Sequence, residues 1–350
     1  MAQKITHWLL ITLVLSLGFG QLLRFEVFGL PLYFHDILVI CILLLQGPSL
    51  QNYGLKIFLL GLTLGWCNAL FHYPITQLLI PFLYTLRLLA YLVLFFRLKS
   101  LKFYLPNFAY LIAGFTTLIL GLTQYFLMPD MRVFQYLGWD DHLNRLIMPH
   151  FDPTFTGVML GLFLLSQVNL KFPYLILNTV YIIPALLLTY SRSVWLSFVL
   201  TLVFFVKNKL VLLLAVSCLL LAIILLPQRF GEGTNLLRTY SISSRLESDL
   251  NYVHQYQWDL LLGRGLNTLI LDQGVTHATG PNNSYLYLLL TSGIFGLVGW
   301  MMFMLSLYRQ SSYKPLLVFF FLASLFNNVM FYPFALLWIL LVQFRVPSAT

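Results

Sequence analysis

Apolar runs of about twenty residues recur along almost the whole chain, and a soluble fold has no interior large enough to hide them all. A helix that crosses the hydrocarbon core of a bilayer needs roughly 20 mostly apolar residues, with about 17 as the lower limit. Windows of that kind lie at 6–23, 31–47, 55–71, 76–96, 106–127, 154–170, 173–190, 194–206, 209–226, 285–308, 315–332 and 333–345. Two of them, 194–206 and 333–345, are short, so the expected number of spans is eleven or twelve. Of the 350 residues 60% are hydrophobic and only 9% charged, whereas ordinary soluble domains carry roughly a quarter charged residues. A disordered chain, a disulfide scaffold and a soluble nucleic-acid module are therefore excluded. The expectation is an all-α polytopic membrane protein.

The net charge of +9 does not form a basic face, because the cations stand singly between apolar runs. Cys41, Cys67 and Cys218 all fall inside those runs and read as buried thiols. The first run, Ile5 to Leu23, reads as an uncleaved anchor. With twelve spans and both termini cytoplasmic, eleven basic residues and no acid fall inside, while eight arginines and all eleven acids fall outside. All eight lysines are inside, and every outer cation is an arginine. Arginine's planar fork suits bidentate contact with phosphate or carboxylate. The same arginines could instead pair with the outer acids.

The windows divide the chain into spans 1–9 over residues 1–226, a large outer loop over 227–283 and spans 10–12 over 284–350. A second outer segment, Pro129 to Pro153, carries Arg132, Asp140, Asp141, His142, Arg145, His150 and Asp152. Within the large loop, Ser244-Arg245-Leu246-Glu247 reads as a capping box. Leu246, Leu250, Val253 and Leu260 follow at helical spacing, which predicts an amphipathic helix on the outer membrane face. Gly263-Arg264-Gly265 is either a phosphate-binding turn or a plain turn, and Asn282-Asn283-Ser284 reads as a backbone cap beside a span. Tyr240, Tyr252, Tyr256 and Trp258 suit sugar stacking or an interfacial belt. Arg87 lies deep in the fourth window, where a cation costs at least roughly 2.5–3.5 kcal/mol; it is either functional or internally paired. Arg192 is either functional or an interfacial anchor. The chain has no Walker loop, no G-x-S-x-G, no zincin motif and no zinc-type His/Cys spacing.

Several stretches together resemble the O-antigen ligase and polysaccharide polymerase family of bacterial membrane glycosyltransferases. They are Leu188-Thr189-Tyr190-Ser191-Arg192-Ser193-Val194-Trp195; Ser244-Arg245-Leu246 followed by Trp258 and Leu262-Gly263-Arg264-Gly265; Asn282-Asn283-Ser284-Tyr285-Leu286 with Gly293-Ile294-Phe295-Gly296; and Arg145 to Gly157. The resemblance implies a glycan on undecaprenyl pyrophosphate as donor, a glycan or lipid acceptor and surrounding membrane lipids. It also admits a chain-length regulator as partner, and involves no cofactor, metal or nucleic acid. The implied location is the bacterial cytoplasmic membrane with the active face outward.

Arg192 and Arg245 match family arginines and are the first candidates for a pyrophosphate clamp, followed by Arg145, Arg87 and Arg264. The family's histidine falls on Asn282, which is no base; His277, five residues earlier, or Glu247, Asp249, Asp259 or Asp272 would have to substitute. That departure favours repeat-unit polymerisation over ligase-type transfer to a terminal lipid or protein. A lipid-linked glycan flippase is the alternative from another class.

Overall fold

The computed structural model describes residues 2–27, 30–48, 52–137, 139–167, 172–206, 213, 216–217, 221, 224–226, 232–272 and 280–345. Among them the chain forms α1 (Ala2–Leu17), a hairpin of β1 (Arg24–Val27) and β2 (Leu30–Tyr33), α2 (Phe34–Gln46), α3 (Tyr53–His72), α4 (Ile75–Leu101) and α5 (Asn107–Leu127). Then follow α6 (Pro153–Ser166), α7 (Phe172–Leu188), α8 (Arg192–Phe205), α9 (Tyr240–Gln255), α10 (Ser284–Gln310), α11 (Lys314–Phe326) and α12 (Pro333–Leu341). The protein is overwhelmingly helical. Four helices, α3, α4, α5 and α10, are long and apolar enough to cross a membrane. Shorter apolar helices stand in seven other windows. Most of the window at 209–226, with Cys218, lies outside the described residues. Cys41 and Cys67 are free thiols, but Cys41 is half-buried and Cys67 exposed, so neither is the buried thiol expected from its apolar run.

Two further expectations need correction. The first window does not stay helical to residue 23. Helix α1 stops at Leu17, a short 3-10 turn covers Gly20–Leu23, and the antiparallel hairpin pairs Arg24 with Tyr33. Nor does Ser244 cap a helix: α9 begins at Tyr240, so Ser244 lies within its first turns, and the preceding Thr239 makes no side-chain cap bond.

Helix α6 is buried along its length except at Phe155, and α12 is buried from Phe334 to Leu341. Around this centre large apolar side chains face outward, among them Phe71 at 87% exposure, Leu44 at 81% and Ile75 at 78%. A soluble surface does not carry so many; they are compatible with a lipid-facing belt.

The closest helix pair is α3 with α10. A Cβ on Gly61 would stand 2.2 Å from the backbone nitrogen of Gly296, and one on Gly299 2.2 Å from that of Phe58. Backbone therefore packs on backbone, the close approach that small residues allow between apolar helices. Helix α10 breaks at Gly293 (φ 65°, ψ −174°), a conformation that glycine adopts without Cβ strain. The segment just after α9 supplies the missing bonds. The amides of Arg264 and Gly265 donate to the carbonyls of Leu290 and Thr291 (both 2.8 Å), and Ile294 N–H donates to Leu260 O (3.1 Å).

We predict that Gly61→Leu forces α3 and α10 apart at a cost of about 1–3 kcal/mol or more. Thermal unfolding of the detergent-purified protein should show the loss, with the exposed Leu44→Ala as an unperturbed control.

Candidate functional site

Four arginines meet where the Pro129–Pro153 segment, the start of α8 and the large loop come together. The segment is held by Gln124, buried near the end of α5. Its carboxamide donates to the carbonyls of Met128 and Arg145 (3.1 and 3.2 Å) and accepts the Ile147 amide (3.0 Å). Arg145 is thereby aimed inward, and only 7% of it is exposed. Its Nε donates to Thr189 O (3.0 Å) and its Nη2 to Tyr190 O (3.4 Å), carbonyls at the end of α7. Arg192 opens α8 and donates through Nη1 to Leu236 O (3.0 Å) and Arg238 O (2.5 Å). Arg245, on α9, donates through Nη1 to Phe326 O (3.1 Å) and Asn327 Oδ1 (3.0 Å). Asn327 in turn donates to Ser193 Oγ (3.0 Å), the neighbour of Arg192.

These hydrogen bonds end on neutral acceptors, mostly main-chain carbonyls. Among the described residues neither Arg145 nor Arg245 is in an ion pair. Burial and the charge of Arg238, with further repulsion from Arg245 and Arg192, press the Arg145 pKa down to about 9, against a weaker pull from Asp152. The corner therefore gathers several guanidinium groups, with Arg145 and Arg245 anchored on neutral acceptors. Such an arrangement suits a ligand bearing several negative charges.

The other two clamp candidates are engaged elsewhere. Arg87 pairs with Asp36 (Nη2–Oδ2 3.1 Å), donates to Pro31 O, and lies over the rings of Tyr33 (5.0 Å) and Tyr84 (4.9 Å). Tyr91 donates to the other Asp36 oxygen and contacts His35 Nε2 (3.0 Å). The internally paired alternative is the one the structure contains. Arg264 pairs with Asp259 (3.1 Å) and donates to Tyr73 OH (3.2 Å). Burial opposes its charge, but Tyr73, Asp259 and Asp272 outweigh that and raise its pKa above the ordinary arginine value. Gly263 and Gly265 around it form the turn that fills the break in α10: a Cβ on Gly263 would meet Thr291 O at 2.5 Å.

Asn282 lies at the entrance to α10, and its amide donates to Asp249 Oδ1 (3.2 Å). Asn283 is the N-cap: its Oδ1 accepts the amides of Tyr285 (2.9 Å) and Leu286 (3.2 Å), as expected for the Asn-Asn-Ser stretch. His277 lies outside the described residues. Asp272 accepts from both Tyr73 OH and Tyr256 OH (each 2.6 Å), and Asp259 is shared between Arg264 and Asn68. Burial raises Tyr73 to about 12, so it stays protonated as the donor to Asp272. Tyr252 and Tyr256 are buried and stacked at 6.2 Å, whereas Tyr240 and Trp258 are exposed.

Asp140, His142 and Asp152 bring one ligand atom each to within 4.8 Å of one another, a spacing that can hold a cation. Asp152 already caps α6 by accepting the Phe155 amide (2.8 Å), and burial lowers the His142 pKa.

Sequence reasoning missed Arg238 and Asn327 as members of the arginine corner and Asp36 as the partner of Arg87. The Asn327-Asn328 pair between two apolar runs was the one available signal. No protein-family model matches the chain, and no curated protein matches it either.

Two outcomes are expected. Inorganic pyrophosphate should raise the unfolding temperature of the purified protein, approaching the roughly 2.7 kcal/mol that a ligand supplies at a hundred times its Kd. Arg192→Gln should reduce that shift, and no shift in the wild type would argue against an anion site. Separately, Asp36→Ala strands the Arg87 charge and should cost about 3–5 kcal/mol in thermal unfolding. Asp36→Leu with Arg87→Leu should recover most of it.

Proposed function

We propose that this protein is a membrane glycosyltransferase that takes a glycan from undecaprenyl pyrophosphate at the outer face of the bacterial cytoplasmic membrane. It adds the glycan to a growing O-antigen or exopolysaccharide chain. In this reading twelve helices span the membrane with both termini cytoplasmic, and the 227–283 loop faces outward. The observation that carries it is the convergence of Arg145, Arg192, Arg238 and Arg245, with Arg145, Arg192 and Arg245 donating to carbonyl oxygens.

The chemistry asks for that arrangement. As the anomeric C–O bond breaks, negative charge builds on the leaving lipid pyrophosphate. Donors already fixed in a poorly solvated setting stabilise that charge without reorganising. Arg145 is the most buried of the four and Arg245 sits on the loop helix, so the clamp draws on both outer segments. The stretches that resemble the polymerase and ligase family supply three of these arginines, Arg145, Arg192 and Arg245.

Arg192→Ala and Arg245→Ala should each lower glycan transfer by about 10²–10³, as loss of one such donor does elsewhere, while membrane insertion is unchanged. Normal transfer in both variants would remove the clamp. The acceptor is read from glycan size profiles of cells with and without the gene. Loss of long chains, with single repeats still reaching the surface, supports polymerisation. Long chains stranded on the carrier would point to ligase-type transfer, and single repeats retained inside the cell to a flippase.

A further inference from the structure

Transfer to a hydroxyl acceptor needs a group that takes the hydroxyl proton, within hydrogen-bonding reach of the reacting centre. Several carboxylates near the loop are already committed. Asp259 is bound to Arg264 and Asn68, Asp272 takes two tyrosine hydroxyls, and Asp152 caps α6. Asp249 differs. It lies one helical turn beyond Arg245 on α9, so both side chains leave the same face of that helix. Tyr252 and Tyr256 continue this inward stripe and are buried, while Ile242, Leu246 and Leu250 form the exposed one. Asp249 is half-buried and belongs to no ion pair among the described residues. One of its oxygens, Oδ1, is fixed by the Asn282 amide (3.2 Å), and its Oδ2 makes no hydrogen bond among the described residues.

We propose that Asp249 is the general base for the acceptor hydroxyl, an assignment that rests on the glycosyl-transfer reading of the arginine corner. In the step, the acceptor O–H proton passes to the Asp249 carboxylate as the acceptor oxygen forms a bond to the anomeric carbon. The bond from that carbon to the pyrophosphate oxygen breaks, and the pyrophosphate leaves with the electron pair beside Arg145, Arg192 and Arg245. The proton is later returned to solvent, and no co-reactant is required. Asn282 supplies only its main-chain amide, which holds the carboxylate in place. Burial raises the Asp249 pKa above the usual carboxylate value, while the Asn282 amide and Arg245 oppose the rise. Those two are the groups shown facing it, one from the entrance to α10 and one from its own helix. A raised value makes a stronger base, and its activity is lost as pH falls through that value.

The test uses the full-length protein in detergent with a polyprenyl-pyrophosphate oligosaccharide as donor and acceptor. Asp249→Asn keeps an oxygen acceptor for the Asn282 amide but removes the base. Transfer should fall about 10²–10⁴-fold, donor binding should stay within about twofold of wild type, and the acid limb of the wild-type pH profile should vanish. Asp249→Glu should restore part of the rate, and it keeps the test open if the asparagine variant is poorly folded. Transfer by Asp249→Asn within about fivefold of wild type would overturn the assignment. A rate loss matched by an equal loss of donor binding would also overturn it, because Asp249 would then only hold the loop. Wild-type protein that transfers no glycan from this donor would instead reject the glycosyl-transfer reading, and the base with it.

Discussion

The backbone contact between α3 and α10 sets the geometry of everything above it. With Gly61 against Gly296 and Gly299 against Phe58, no side chain separates the two helices. The break at Gly293 leaves main-chain groups of α10 without helical partners in a buried place, where each orphan would cost about 1–3 kcal/mol. The segment from Leu260 to Gly265 fills them, and it is also bonded to α3, since Asn68 donates to Asp259 Oδ1 and to Gly263 O (both 2.7 Å). The end of the large loop is thus sewn to two apolar helices. Only a few residues separate this seam from α9, so the helix bearing Arg245 and Asp249 is positioned by glycine packing below it.

Arginines in this protein fall into two kinds, and the difference lies in what accepts their hydrogen bonds. Arg87 and Arg264 face carboxylates, so their charge is neutralised inside the fold. Arg145 and Arg245 bond carbonyls or an amide oxygen and are in no ion pair among the described residues, so those acceptors do not cancel their charge. Helix ends help: the carbonyls of Thr189 and Tyr190 lie just beyond the end of α7, the negative pole of its dipole. Burial first, and then the neighbouring guanidinium charge of Arg238, lower the Arg145 pKa. Lysine's point charge would not reach two carbonyls at once in the way that Arg145's fork does.

The apolar windows were legible because burial in lipid imposes a length and a composition that no other solvent demands. The α1 boundary was not, since Phe19 to Leu23 is apolar enough to extend a helix, and only the tertiary pairing of Arg24 with Tyr33 ends it. The Ser244 capping box matched a local pattern, but α9 starts earlier and the pattern falls inside it. Gly293 and Gly296 stood out as part of a family-like motif, and the structure gives them a packing task. Arg192, Arg245 and Arg145 could be singled out by cation type and position. Their convergence with Arg238 and Asn327 could not, because it joins segments far apart in the chain, 134 residues in the Asn327–Ser193 bond alone. The Asp36–Arg87 pair hides in the same way: nothing local in either helix points to the other.

Helix α9 carries two stripes of different character. Its Ile242, Leu246 and Leu250 stripe, extended by Trp258 at 88% exposure, has no partner among the described residues and suits the boundary between headgroups and acyl chains. The neighbouring stripe carries Arg245, Asp249 and Tyr252, with Tyr256 just past the helix end, toward the protein. Seating the first stripe in lipid would press the second onto Asn327 and the entrance to α10, and would exclude water from the arginine corner. Lower local dielectric strengthens every guanidinium–anion contact there.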